Sequence, residues 1–194
     1  MEELEITYLL KKVPEGLHSV LVKELLDVYI PSTSEHPKLR IRKLGDIHEI
    51  TKKVPVDNND ASRQIETTIP LTQEEYTELS QLSGKRIRKL RYYYYKDGTD
   101  FEVDIFQDAL KGLVVVDVEF DSIEKKNAFK MPDFCLVDIT QEKFIAGGEL
   151  CGKSYSDIEK DLARFGYVPI FLDWHEPKRQ RGNSSYIRKD CRWL

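Results

Sequence analysis

Short runs of alternating apolar and polar residues occupy most of the chain between residues 3 and 120. The runs are rich in β-branched and aromatic residues, and turn-forming sequences such as Lys96-Asp97-Gly98 separate them. Alternation with a period of two is typical of β-strands that bury one face. The candidate strands are residues 3–11, 22–30, 38–43, 49–54, 62–69, 85–95, 101–106 and 114–120. Their number and spacing predict an antiparallel barrel or sandwich.

Three helices are predicted beside these strands, so the fold class is mainly β with flanking helices (α+β). The clearest helix covers residues 72–84, where Thr72 is a candidate N-cap and Glu75 follows three residues later. A Ser or Thr followed at that distance by Glu is typical of a helix start. Weaker helical patterns cover residues 121–128 and 157–165.

The charged residues of each candidate strand lie two positions apart and share one face, because successive strand side chains point to opposite faces. On that face each strand carries charge of one sign. The acidic strands carry Glu3 and Glu5, Glu102 and Asp104, and Asp117 and Glu119, while the basic strands carry Lys38, Arg40 and Arg42, and Lys89 and Arg91, with Lys53 as a further cation. One interpretation is an ordinary sheet with its charged face in water. Solvated faces usually mix the two signs, however, which favours a specific ligand.

These two kinds of strand suit two kinds of ligand. Paired carboxylates suit a hard divalent cation such as Mg²⁺ or Mn²⁺, which binds several oxygen atoms at one point. Paired cations suit a polyphosphate, because a guanidinium group binds phosphate oxygens through two parallel hydrogen bonds. A closed barrel of about eight strands can hold one small ligand in its interior. The second interpretation therefore predicts a polar, charged lumen that binds polyphosphate and a metal.

Composition excludes several classes of protein. The 30 Lys and Arg residues and 34 Asp and Glu residues give a net charge of −4, whereas a general nucleic-acid-binding protein needs a basic excess. The longest apolar runs are too short to span a membrane, and the acidic start of the chain differs from a signal peptide. Cys135, Cys151 and Cys191 are odd in number and lack CxxC spacing. We therefore expect a cytoplasmic protein without a zinc site, a membrane partner or a nucleic-acid partner.

In their order along the chain, several short motifs resemble the CYTH family, the triphosphate tunnel metalloenzymes. They are ELE at 3–5 (family E-x-E-x-K), DVY at 27–29 (D-x-Y), LRIR at 39–42 (LRIR), TKK at 51–53 (T-x-K), IRKLR at 87–91 (I-x-K-x-R), EVDIF at 102–106 (E-V-D-x-F), GL at 112–113 with DVEF at 117–120 (G-L…E-x-E-F), and DIT at 138–140 (E-V-T). No single motif is specific, but their joint order and spacing are.

The resemblance implies a fold, an activity and residue roles. Residues 1–152 would form a closed eight-stranded antiparallel β-barrel tunnel, and residues 153–194 a C-terminal helix and basic tail of the same domain. The implied activity is hydrolysis of inorganic triphosphate, or of a nucleoside or thiamine triphosphate, with Mg²⁺ or Mn²⁺. The implied substrate-binding residues are Arg40, Arg42, Lys53, Lys89 and Arg91, the metal ligands are Glu3, Glu5, Glu102, Asp104, Asp117 and Glu119, and the catalytic residues are Glu3, Glu5 and Lys53.

Two positions depart from the family pattern. Thr7 stands where the family has a lysine, and Thr68 where many members have a second glutamate. Lys11 or Lys85 could replace the missing cation. Two alternatives to hydrolysis stay open, namely a class IV-type adenylyl cyclase and a catalytically weak polyphosphate- or nucleotide-binding module. The oligomeric state is open too, a homodimer included.

Overall fold

Nine strands dominate the computed structural model, which describes residues 2–57 and 59–172. The basic stretch at 178–183 and Cys191 lie outside the described residues, so the predicted tail stays a prediction. Each of the eight candidate strands corresponds to an observed strand. The strands are β1 (Glu2–Leu10), β2 (Val22–Ile30), β3 (Leu39–Leu44), β4 (Ile47–Asp57), β5 (Asp60–Pro70), β6 (Lys85–Lys96), β7 (Thr99–Phe106), β8 (Val114–Phe120) and β9 (Cys135–Asp138).

The first eight strands close into an antiparallel barrel, in the ring order β1-β5-β4-β3-β2-β6-β7-β8 and back to β1. Closure depends on β1, whose first residues pair with β5 on one side while the strand pairs with β8 on the other. The barrel prediction is therefore confirmed. Strand β9 was not predicted. It pairs with the last residues of β1, whereas β5 pairs with the first residues of that strand. Its four residues are too few to show a recognisable alternation.

In the part of the chain that the structure describes, four α-helices flank the barrel: α1 (Gln73–Leu79), α2 (Ile123–Ala128), α3 (Gly147–Leu150) and α4 (Tyr155–Ala163). Thr72 accepts a hydrogen bond from the backbone of Glu75, and the Glu75 side chain accepts one from the backbone of Thr72, as the sequence predicts. Helix α1 ends before the predicted residue 84, because the chain turns back there into β6. Gly84 lies in this turn and packs closely against β2, since a Cβ atom there would lie only 2.5 Å from the Val28 side chain.

One end of the barrel is filled by apolar side chains. Leu9, Tyr29, Ile87, Phe106 and Val115 occupy the same alternating positions as the charged residues of their strands, and all are buried. They pack in one cluster with residues of α3 and α4, namely Leu150, Ile158 and Leu162. The described C-terminal helices therefore cover this end, and the charged part of the lumen lies towards the other.

The outer face of β1, β6, β7 and β8 forms a second apolar cluster. Its buried members include Tyr8, Tyr92, Val103 and Val116, and Phe134 covers them from the segment before β9. No helix within residues 2–57 and 59–172 is long and apolar enough to cross a membrane.

Candidate active site in the barrel lumen

The strand order divides the lumen into two arcs of opposite charge. Strands β4, β3, β2 and β6 are consecutive around the ring, and so are β7, β8 and β1. The first group forms the cationic arc, with Arg40, Arg42, Lys53, Lys89 and Arg91, and the second forms the acidic arc, with Glu3, Glu5, Glu102, Asp104, Asp117 and Glu119. The register and the ion pairs between strands bring all the predicted site residues into one lumen.

Lys53 connects the two arcs. Its Nζ lies 2.5 Å from Glu3 Oε2, 3.4 Å from Glu66 Oε2 and 3.9 Å from Glu5 Oε2. Burial opposes the charged form, but these carboxylates raise the pKa of Lys53 above its ordinary value. Lys53 is therefore a permanent cation, suited to holding an anion rather than to accepting a proton.

Two arginine residues of the cationic arc are held by buried aspartates. Arg42 donates from Nε and Nη2 to the two carboxylate oxygens of Asp27, at 2.8 and 2.9 Å. Arg91 donates from the same two nitrogens to Asp104, both at 2.7 Å, and Lys89 Nζ donates to Asp104 at 2.8 Å. Charge-assisted two-point contacts of this kind fix the guanidinium plane as well as its position.

Arg40 and Arg91 also reach other groups of the lumen. Arg40 donates from Nη1 to the hydroxyl of Tyr29 at 3.3 Å and lies 3.8 Å from Glu66. Arg91 contacts Glu102 through Nη1, and its Nη2 lies 3.9 Å from Asp117. The cations are thus distributed along the lumen, each beside at least one acceptor.

The carboxylates of the acidic arc lie side by side on neighbouring strands. Glu5 lies opposite Glu119 in the register of β1 and β8, and Asp117 lies opposite Glu102 in that of β7 and β8. Burial and the carboxylates of Glu5 and Asp104 raise the pKa of Asp117 to about 8. The side chain of Glu119 is exposed, but partial desolvation and the neighbouring carboxylates still raise its pKa to about 7. Burial likewise raises the pKa of Glu3. A divalent cation would relieve this repulsion, so the donor set fits Mg²⁺ or Mn²⁺ chemically.

The carboxylates are not arranged as a finished metal centre. Among the described residues, no three Asp, Glu, His or Cys side chains converge at metal-binding distances. Asp104 differs from the other predicted ligands, because it is fully buried and both of its oxygens accept hydrogen bonds from cations. The role of each predicted ligand stays a prediction.

Thr7 occupies the lumen position of the missing family lysine. Its hydroxyl donates to Asp117 Oδ1 at 2.7 Å, so it satisfies one oxygen without adding charge. Lys85 does not replace that lysine, because its Nζ donates to the carbonyl of Ser34. Thr68, the second departure, donates to Glu66 at 2.7 Å and so supports the remaining carboxylate of its strand.

Several lumen residues were absent from the predicted site. Asp27 and Tyr29 entered the sequence analysis only through the motif DVY, although they alternate with outward residues as the charged pairs do. Glu49 and Thr51 share the face of Lys53, and Glu49 lies opposite Arg42. Extending the alternation argument through β2 and β4 would have found them, because the face of one residue fixes the face of its whole strand.

Comparison with known proteins agrees with this geometry. No protein-family model matches the chain. The chain is 32% identical over 146 residues to a protein of Nitrosomonas europaea named inorganic triphosphatase, and the match covers 74% of this chain and 92% of that protein. A crystal structure of the inorganic triphosphatase NE1496 is similar with a TM-score of 0.56 and 27% identity, over 77% of this chain and 93% of the other. A structure described as the hypothetical protein NE1496 also has a TM-score of 0.56, with 26% identity over 77% and 96% of the two chains.

The closed barrel, the two charged arcs and the ordered motifs are thus found together with extensive similarity to a triphosphatase. The similarity extends over nearly the whole length of the relative. The chain belongs to the CYTH family, the triphosphate tunnel metalloenzymes.

Proposed function

We propose that the protein hydrolyses inorganic triphosphate, or a compound that ends in a triphosphate group, such as a nucleoside or thiamine triphosphate. The observation that supports this most directly is the convergence of five cations and a group of carboxylates in one lumen. The relative from Nitrosomonas europaea named inorganic triphosphatase supports the same activity.

The cationic arc would bind the triphosphate. Phosphoryl transfer requires little covalent chemistry from the protein, so positioning and charge neutralisation provide most of the rate. Arg40 and Arg42 on β3, Lys53 on β4, and Lys89 and Arg91 on β6 present cations from three strands of the arc. A flexible chain of phosphates bound to all three strands is held in one orientation relative to the acidic arc.

The acidic arc would hold Mg²⁺ or Mn²⁺ and order the attacking water. Glu3, Glu5, Glu102, Asp117 and Glu119 supply the oxygen ligands that such cations prefer. The bound cation would neutralise charge on the phosphate oxygens. Glu3 and Glu5 lie within 4 Å of Lys53, so a water ordered by them is next to a phosphate-binding cation.

The proposal includes a cytoplasmic location. Cys135 and Cys151 are both free and buried, which is typical of proteins in a reducing compartment. Sedimentation of the purified protein would show whether it is a monomer or the homodimer that the sequence leaves open.

Phosphate release from inorganic triphosphate, with and without Mg²⁺ or Mn²⁺, tests the function. We expect metal-dependent release that falls by about a hundredfold or more in Glu3→Ala and Arg40→Ala, which remove transition-state contacts. Matched controls are Glu2→Ala and Lys43→Ala, which change the neighbouring outward-facing residues of the same strands. Metal-independent release, or unchanged rates in both lumen variants, would contradict the proposal.

Two further assays of the same purified protein distinguish hydrolysis from the cyclase and the binding-module alternatives. Formation of cyclic AMP from ATP, without phosphate release from triphosphate, would identify a cyclase. Triphosphate that raises the melting temperature without being hydrolysed would identify a binding module, because a ligand that binds only the folded state stabilises it.

A further inference from the structure

Two aspartates lie deeper in the lumen than the other carboxylates. Asp27 is 1% exposed and Asp104 is 0% exposed. Each contacts two cations of the cationic arc: Asp27 holds Arg42 and lies 3.9 Å from Arg40, and Asp104 holds Arg91 and Lys89. Four of the five proposed phosphate-binding cations therefore lie within 4 Å of one of these two aspartates.

The contacts leave part of each guanidinium group for a ligand. In both pairs the aspartate accepts from Nε and Nη2, so it does not occupy Nη1. Arg91 Nη1 contacts Glu102, a partly exposed group that an incoming phosphate could displace. A phosphate can therefore bind these arginines while the aspartates keep them in place.

The aspartates remain charged in the unliganded protein. Burial alone would raise the pKa of Asp27, but Arg42 and Arg40 lower it to about 2. Asp104 is likewise paired, because its two carboxylate oxygens accept hydrogen bonds from Arg91 and Lys89. A buried ion pair is costly to desolvate and is a poor source of stability by itself, so a role in placing the cations accounts better for both pairs.

We propose that Asp27 and Asp104 are positioning residues that orient the phosphate-binding cations, Asp104 doing so instead of binding the metal. This inference rests on the proposed function. Neither aspartate needs to touch the substrate: Asp27 acts through Arg42 and Arg40, and Asp104 acts through Arg91 and Lys89. The DVY motif thus has a physical role, because Tyr29 accepts a hydrogen bond from Arg40 next to the Asp27 pair.

The direction in which the affinity for triphosphate changes distinguishes a positioning role from a purely electrostatic one. Asp104→Asn removes a negative charge from a site that binds a polyanion, so charge alone would tighten the binding of triphosphate. Loss of orientation would weaken it instead, because asparagine cannot accept both hydrogen bonds and leaves the guanidinium free to rotate. The same argument applies to Asp27→Asn.

The experiment is calorimetric titration of inorganic triphosphate into metal-free protein, followed by the metal dependence of phosphate release. For Asp27→Asn and Asp104→Asn we expect the Kd for triphosphate to rise by about tenfold to a hundredfold, as for other groups that orient a binding residue. The metal concentration for half-maximal activity should stay unchanged. Asp46→Asn, in an exposed turn, is the matched control, and Glu119→Gln should raise the metal requirement without weakening metal-free binding.

Unchanged or tighter binding in both aspartate variants would overturn the inference, and a raised metal requirement in Asp104→Asn would show that it is a ligand. If wild-type protein binds triphosphate without releasing phosphate, hydrolysis is disproved while the binding comparison still decides the inference. If wild-type protein does not bind triphosphate, both proposals fail.

Nuclear magnetic resonance of the wild-type protein provides a test that does not depend on the folding of any variant. The Nε protons of Arg42 and Arg91 should exchange slowly and stay protected when triphosphate is added, because the aspartates keep their contacts. The exposed Arg86 is the internal control for rapid exchange. Loss of protection on addition of triphosphate would mean that the ligand replaces the aspartates, and it would overturn the inference.

Discussion

Thr7 replaces a cation in the lumen with a neutral hydroxyl group. Its hydroxyl donates a hydrogen bond to Asp117, whose pKa is raised to about 8 by burial, Glu5 and Asp104. The lumen therefore contains a carboxylate that a nearby cation would stabilise. This makes position 7 the most direct place to alter the balance between phosphate binding and metal binding.

We predict that Thr7→Lys lowers the KM for triphosphate by about tenfold, because one added cation in a partly buried lumen attracts the polyanion strongly. The pKa of Asp117 should fall as well. Steady-state kinetics at saturating Mg²⁺ measures the first effect. Thr67→Lys, which adds the same charge on the exposed outer face of β5, is the control. An unchanged KM in Thr7→Lys would show that position 7 does not contact the substrate.

The Asp27 pair predicts a dependence of stability on pH. Because the folded-state pKa of Asp27 is lowered to about 2, ionisation of its carboxyl group favours the folded state at pH values above the unfolded-state pKa of about 4. That stability is lost as the pH falls through 2. The difference in unfolding free energy between wild type and Asp27→Asn should thus shrink by about 2 kcal/mol from pH 6 to pH 2. Urea denaturation at both pH values measures it, and a constant difference would contradict the assignment.

At the scale of elements, the close approach of α3 to β2 defines the closed end of the lumen. A Cβ atom at Gly147 would lie 2.1 Å from the hydroxyl oxygen of Tyr29. That hydroxyl accepts the hydrogen bond from Arg40, so the helix start, the tyrosine and a phosphate-binding cation are in one chain of contacts. Glycine is required here by the lack of space rather than by backbone conformation.

We predict that Gly147→Ala lowers the unfolding free energy by about 1–3 kcal/mol, since an added methyl group in a packed contact forces its neighbours apart. Tyr29→Phe in the same background should recover part of the loss, because it removes the closest atom. Denaturation of the two single variants and the double variant gives the coupling between them. Strictly additive losses would mean that Tyr29 is not the obstructing group.

At the scale of the whole molecule, the lumen and the apolar core share the same strand faces. Towards one end the inward positions are charged, and towards the other they are Leu9, Tyr29, Ile87, Phe106 and Val115. Helix α4 contributes Ile158 and Leu162 to the same cluster and so packs against the barrel, while the predicted domain boundaries stay a prediction. The charged site therefore lies next to the packed apolar cluster that closes one end of the lumen.

This arrangement predicts that α4 and the barrel unfold together. Leu162→Ala, at a buried position of α4, should lower the unfolding free energy of the whole protein by about 2–5 kcal/mol. Val168→Ala, at a residue that is 72% exposed in the following segment, should change it by less than about 0.5 kcal/mol. Tyrosine near-ultraviolet circular dichroism reports on the barrel. If its transition is unaffected by Leu162→Ala, the C-terminal segment is a separate unit.

The sequence alone determined which segments are strands and which residues of each strand share a face. Both follow from local chemistry, because the alternation of side chains along a strand has a fixed period and does not depend on distant residues. For that reason the eight strands could be predicted, together with the grouping of the cations and carboxylates on one face of each strand. The helix start at Thr72 is equally local, since its capping contacts span only four residues.

Only the tertiary structure decided which face of each strand is inside and which charges meet. The alternation in β3 and β7 is the same whether the charged face lies in water or in a lumen, and closure of β1 against β5 and β8 decides between them. Asp104 illustrates the limit: its spacing matches a metal ligand, yet its carboxylate accepts hydrogen bonds from Arg91 and Lys89 of the neighbouring strand. Pairing across strands depends on register, which residues far apart in the chain set together.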